Sequence, residues 1–182
     1  MGAVRHLKPP GFRQTTSYIR QDLFAPFQAQ KAIPRNIDVI VSNPPYISRN
    51  DIESTTARSV RNWEPRLALV PSIPLENKKV QDEDVFYHRL IELHRDHFCS
   101  SKILVMEVGS EVQAGRVVAM ARAMVGNHRV EVWADFPEQK AEELRSLPVP
   151  DGSGRITITG TGSVRCVVLY RRQIKRYAKE PD

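Results

Sequence analysis

The chain has 182 residues, enough for one domain with tails and a real core, and its 41% apolar and 26% charged residues are ordinary for a soluble globular protein. No apolar run approaches the roughly 18 residues of a membrane helix, and Cys99 and Cys166 sit in no metal-ligand spacing, which argues against a membrane span, a disulfide scaffold and a zinc site. The net charge of +6 favours an anionic partner only weakly, because much of the excess lies in the terminal stretch RRQIKRYAKE, 171–180.

Residues 1–16, with Pro9, Pro10 and Gly11, read as a flexible lead-in that carries no apolar core of a signal peptide. SYIRQDLF (17–24) is expected to be a short strand ending at Asp22, and AIPRN turns the chain. IDVIVS (37–42) is nearly all apolar, as suits a strand buried on both faces of a parallel sheet. Residues 47–82 are long, polar and irregular, with Pro65, Pro71 and Pro74, and a loop of that length in a compact domain is usually functional. In DEDVFYHRLIELHRDHF (82–98), Val85, Phe86, Leu90, Leu93 and His97 fall at helical spacing behind acids that suit a helix start.

KILVMEVG (102–109) is a second buried strand closed by Gly109, and SEVQAGRVVAMARAMVG (110–126) a helix with Ser110 as N-cap and Gly126 as C-cap. HRVEVWAD (128–135) alternates as a strand does, and 136–154 is a polar excursion. RITITG and SVRCVVLYRR (163–172) are the last strands, an antiparallel pair across a Gly-rich turn. Strands alternating with amphipathic helices predict an α/β sandwich with a largely parallel sheet.

The segment NPPYIS (43–48) follows DVIVS directly. An Asn-Pro pair is ordinary turn chemistry, yet ligands of doubly wound sheets bind beyond the carboxyl ends of strands. An amide nitrogen is a poor nucleophile because its lone pair is delocalised, so a site that alkylates it must hold the NH₂ by its protons. The Asn43 side-chain oxygen and the Pro44 carbonyl are two acceptors suited to that, and proline fixes φ and removes a competing donor. Tyr46 can stack on the planar group.

DVIVSNPPYIS resembles the amino-methyltransferases that combine S-adenosylmethionine with an Asn/Asp-Pro-Pro-aromatic motif. VRNWEPRLALV (60–70), FYHRLIELHRDHF and KILVMEVGSEVQAGRVV narrow the resemblance to the HemK family, protein-glutamine N5-methyltransferases acting on peptide-chain release factors. The likeness runs from about residue 17 to 170 and covers the family's C-terminal half. It implies a partial class I (Rossmann-like) methyltransferase sandwich over 17–172, ahead of a basic tail at 173–182.

The implied cofactor is S-adenosyl-L-methionine and the implied partner a release factor. Asn43, Pro44, Pro45 and Tyr46 would hold the substrate glutamine amide, while Asp22, Leu23 and Asn43 would border the cofactor, the first two at its adenine. Glu64 and Pro65 would brace the loop over the site, and Glu107 reads as a structural carboxylate bonded to nearby backbone. A mitochondrial location is implied, otherwise a cytoplasmic one, with no metal and no direct nucleic-acid contact. Two alternatives stay open: methylation of an adenine or cytosine amino group, and a non-catalytic module that binds a release factor.

The sequence also departs from the family. Before NPPY the only glycines are Gly2 and Gly11, so the Gly-rich cofactor loop and the acid that grips the ribose are not seen. The closing Asp-Gly-Arg pattern survives only loosely as GTGSVR, 160–165. Without the family's first strands IDVIVS would stand at an apolar edge, and residues 1–24 are expected either to float or to pair with it non-natively.

Overall fold

The computed structural model describes residues 16–26, 33–47 and 80–172. The lead-in, the loop with Glu64 and Pro65, and the basic tail lie outside the described residues. The chain divides into two compact units, Met1–Ile33 and Pro34–Asp182.

In the first unit, no strand forms over 17–24; the backbone instead turns at 23–25. The Asp22 carboxylate accepts from the Phe24 N–H at 2.9 Å, and its carbonyl accepts from the Ala25 N–H at 3.3 Å. An Asp bonding its own backbone two residues on offers the chain an alternative to a sheet ladder, and that turn replaces the expected strand.

Among the described residues, the second unit is a six-stranded sheet with two α-helices: β1 (Val39–Ser42), β2 (Ile103–Glu107), β3 (Arg129–Phe136), β4 (Ser146–Pro148), β5 (Arg155–Thr159) and β6 (Thr161–Tyr170), in the order β1-β2-β6-β3-β5-β4. Strand β1 pairs parallel with β2, and β3 with β5; β6 lies antiparallel between β2 and β3, and β4 antiparallel to β5. Four of the six strands, β1, β2, β3 and β5, therefore point the same way. The mixed α/β architecture is that of a partial Rossmann-like methyltransferase sheet, but the expected terminal hairpin does not form: β5 and β6 run antiparallel without pairing, because β6 is hydrogen-bonded to β2 and β3.

That strand has an unexpected neighbour. β5 and β6 are joined through the single residue Gly160, but β3 lies between them. The link passes over the end of β3 so closely that a Cβ on Gly160 would stand 2.3 Å from the Phe136 carbonyl oxygen, and φ there is +90°. Only glycine tolerates both. The polar excursion after β3 also holds a strand, β4, three residues long.

One face of the sheet carries Leu104, Met106, Val132, Val167 and Leu169, all 0% exposed. Helix α1 (Val85–Asp96), entered through a 3-10 turn at Asp82–Asp84, and helix α2 (Glu111–Met124) pack onto it. Each such apolar side chain contributes roughly 1.5–3 kcal/mol by its burial.

Three expectations change here. Val39 and Val41 are 48% and 75% exposed, so β1 is not buried on both faces. It is the outer strand of the described sheet, and these residues alternate with Ile40 and Ser42 onto the other side. The buried stripe of α1 includes Tyr87, Ile91 and His94, whereas Phe86 and His97 are only half-buried. Ser110 caps α2 as expected, its hydroxyl accepting from the Gln113 N–H at 3.2 Å, but the C-cap is Val125, and Gly126 does not adopt a positive φ.

Candidate active site at the carboxyl end of β1

Residues 43–46 follow the last residue of β1, which sits opposite Met106 of β2. Asn43 is exposed, Pro44 buried, and Pro45 and Tyr46 half-buried. The strand thus delivers the Asn43 side chain to solvent at the sheet's carboxyl edge, with the buried Pro44 holding the backbone beside it. This is where doubly wound sheets place ligands.

Tyr46 is already engaged by the protein. A Cβ added to Gly109, just beyond β2, would lie 2.7 Å from Tyr46 Cδ2 and 3.1 Å from Cε2, so the ring rests on glycine backbone. Its hydroxyl donates to Glu107 Oε1 at 3.5 Å, the long limit of a hydrogen bond. The sequence suggests backbone partners for the Glu107 carboxylate; it accepts instead from the tyrosine, and the Glu107 carbonyl takes a 2.8 Å bond from the Tyr87 hydroxyl.

Beneath the loop lies a polar network. Gln113, 3% exposed, accepts from the Gly109 N–H at 2.9 Å through Oε1. Its Nε2 donates to the Tyr46 carbonyl at 3.3 Å and to Asp84 Oδ1 at 3.1 Å. Asp84, 1% exposed, takes Arg116 Nε at 2.5 Å and Nη2 at 3.0 Å, and the same guanidinium reaches Glu83 at 3.2 Å. A buried carboxylate is tolerated when it is paired and its oxygens are hydrogen-bonded, as here. The Asp84 hydrogen bond holds Arg116 above its ordinary value. Burial first, then the Asp84 charge, pushes the Tyr87 phenol well above its usual range, so it stays a donor.

Farther along the same edge, Asp135 of β3 accepts from Arg165 Nε at 2.8 Å and from the Ser163 N–H at 2.9 Å. The Arg165 hydrogen bond holds Asp135 below the usual carboxylate range. The acid that the GTGSVR segment lacks is supplied to its arginine from β3, where it straps the start of β6.

The structure therefore keeps Asn43, Pro44, Pro45 and Tyr46 together at the carboxyl edge. Asp22 and Leu23 belong to the other unit, where the Asp22 carboxylate holds its own turn. Sequence reasoning missed Gln113, Asp84 and Tyr87. Asp84 read as one more acid of a helix start, and the glutamine stood in the quoted helix opening without a role. Among the described residues no cluster of three metal-ligating side chains occurs, and no helix is long and apolar enough to cross a membrane.

No family model matches the chain, and no solved structure matches it significantly. It is similar to the release factor glutamine methyltransferase of Streptococcus pneumoniae, 39% identical over 122 residues, 66% of this chain and 38% of the relative. That of Cereibacter sphaeroides is 34% identical over 105 residues, 58% of this chain and 34% of the relative. The mitochondrial MRF1 N(5)-glutamine methyltransferase MTQ1 of Saccharomyces cerevisiae is 31% identical over 80 residues, 42% of this chain and 26% of the relative. The matched stretches thus span only about a quarter to two fifths of the curated relatives' own lengths. The chain is thus similar to a part of the release factor glutamine methyltransferases, in keeping with its resemblance to the HemK family.

Proposed function

We propose that this chain carries the amide-gripping part of a protein-glutamine N5-methyltransferase whose substrate is the Gly-Gly-Gln glutamine of a release factor. The single observation that supports it most is the NPPY segment at the carboxyl end of β1, with Asn43 exposed and the loop tied down at Tyr46. The Asn43 side-chain oxygen and the Pro44 carbonyl accept the two protons of the substrate amide. Held so, the NH₂ cannot rotate, and its nitrogen presents one face to the methyl donor. Positioning of this kind is worth on the order of 7 kcal/mol of the barrier at best.

S-adenosylmethionine, the donor implied by this class of relatives, supplies an electrophilic methyl group when bound. The described residues fit the amide and do not by themselves complete a holder for that donor. Among them the glycines with positive φ are Gly152, Gly154, Gly160 and Gly162, all in the chain after α2 and none beside β1. The yeast relatives in Saccharomyces cerevisiae and Schizosaccharomyces pombe are named as mitochondrial, which supports a mitochondrial release factor as the partner.

Calorimetric titration of S-adenosylmethionine into the 182-residue chain, with Asn43→Ala as control, tests the donor side. Saturable binding makes the chain a candidate enzyme as it stands; no binding leaves it the substrate grip. Labelled-methyl transfer in the presence of a Gly-Gly-Gln protein, RNA or DNA tests the acceptor. Transfer to nucleic acid and not to protein would overturn the reading.

A further inference from the structure

We infer that Gln113 is a positioning residue for the NPPY loop, acting on the amide grip through the Tyr46 carbonyl; this rests on the role proposed above for Asn43 and Pro44. The loop is anchored at both ends. Upstream, β1 is in register with β2, Ser42 opposite Met106. Downstream, Gln113 Nε2 holds the Tyr46 carbonyl at 3.3 Å while the Tyr46 ring rests on Gly109, two residues beyond β2. Between the anchors, Pro44 and Pro45 have φ locked by their rings, so few free torsions separate the pinned Tyr46 carbonyl from the Pro44 carbonyl. Remove the downstream anchor and those torsions relax.

The side chain is set in one orientation. Its Oε1 faces the Gly109 N–H at 2.9 Å, and its Nε2 faces the Asp84 carboxylate at 3.1 Å. A flipped amide would turn its oxygen on Asp84 and its NH₂ on the Gly109 N–H, so both Nε2 protons are committed, one to Asp84 and one to Tyr46. Asp84 is itself fixed by two bonds from Arg116, at 2.5 and 3.0 Å. Gln113 lies in the first turn of α2, capped by Ser110. The pin thus runs from α2 to a segment that has no ladder of its own.

The test uses the full chain, with Gln113→Leu, Gln113→Glu and the double variant Gln113→Glu with Asp84→Asn. The readouts are affinity for a Gly-Gly-Gln peptide, measured well below the unfolding midpoint, and the urea midpoint itself. Gln113→Leu should weaken peptide binding roughly five- to tenfold, the worth of one hydrogen bond. Gln113→Glu should weaken it more, because a carboxylate oxygen then faces both Asp84 and the Tyr46 carbonyl. The double variant should regain part of the stability, since two carboxylates no longer face each other, while the amide at position 84 gives up the Arg116 Nη2 bond to the oxygen it replaces. It should not regain affinity, because the Tyr46 carbonyl still faces oxygen. Unchanged affinity in Gln113→Leu, or affinity restored in step with stability in the double variant, overturns the positioning role alone. A wild-type chain that binds no Gly-Gly-Gln peptide overturns the reading of the grip and this inference with it.

Discussion

His94 makes this fold acid-sensitive below pH 6.5. Its ring is 0% exposed, and neither nitrogen has a hydrogen-bond partner among the described residues. The His128 ring stands edge-on at 5.3 Å, and the Arg171 guanidinium donates to the His94 carbonyl. Burial first, then the charge of Arg171, then His128, lowers His94 from 6.5 to about 3, and burial also lowers His128. The folded protein thus keeps His94 neutral, while the unfolded chain takes up a proton below 6.5. Stability is complete above pH 6.5 and falls as pH drops toward about 3, at up to ~1.4 kcal/mol per pH unit for this residue. From pH 6.5 to 4.5 His94 alone removes on the order of 2.5 kcal/mol, a large share of a typical domain's stability. The carboxylates Asp96, Asp135 and Asp151, each lowered from 3.8, remain largely ionised in both states over that span. Equilibrium urea unfolding at pH 7, 6, 5 and 4.5, followed by circular dichroism, reads the slope. His94→Phe should abolish most of it and leave only the His128 part. A wild-type stability flat across the window, or a slope unchanged in His94→Phe, would refute the reasoning.

Three further outcomes are expected. Leu104→Ala, at a site 0% exposed in β2, should cost about 2–5 kcal/mol in a urea melt, from lost burial and the cavity left behind. Gly160→Ala should destabilise by more than ~1 kcal/mol, because the new Cβ meets the Phe136 carbonyl at 2.3 Å and φ is +90°; a neutral urea midpoint would show that the link over β3 can shift freely. Gly109→Ala pushes a methyl to 2.7 Å from Tyr46 Cδ2, so it should weaken Gly-Gly-Gln peptide binding several-fold while the far-ultraviolet spectrum stays native. Unchanged affinity there would mean that the Tyr46 ring does not set the loop.

Much of the fold was legible in local pattern. The apolar runs of β1, β2 and β6, the alternation of β3 and the Ser110 cap are set by neighbours a few residues apart, and each appears where period and capping chemistry put it. NPPY at a strand end was legible for the same reason, since a motif directly after a strand needs no distant contact to be placed. The strand over 17–24 failed because the Asp22 turn was a closer competitor for the backbone than any sheet. The stripe of α1 was legible in part: Val85, Leu90 and Leu93 are buried as expected, but 3.6-residue spacing allows overlapping faces, and the packing partner added Tyr87, Ile91 and His94 while leaving Phe86 and His97 half-buried.

What the sequence by itself determined, then, is the kit of elements and the loop at the carboxyl end of β1, because proline geometry and hydrophobic period act over a few residues. Only the tertiary structure decided that β6 enters between β2 and β3, that Asp135 serves Arg165, and that Gln113, 67 residues from Tyr46, meets its carbonyl. Those arrangements rest on buried hydrogen bonds and close backbone approaches between segments far apart in the chain. Such contacts leave no periodic trace, since one glutamine or one glycine suffices at each.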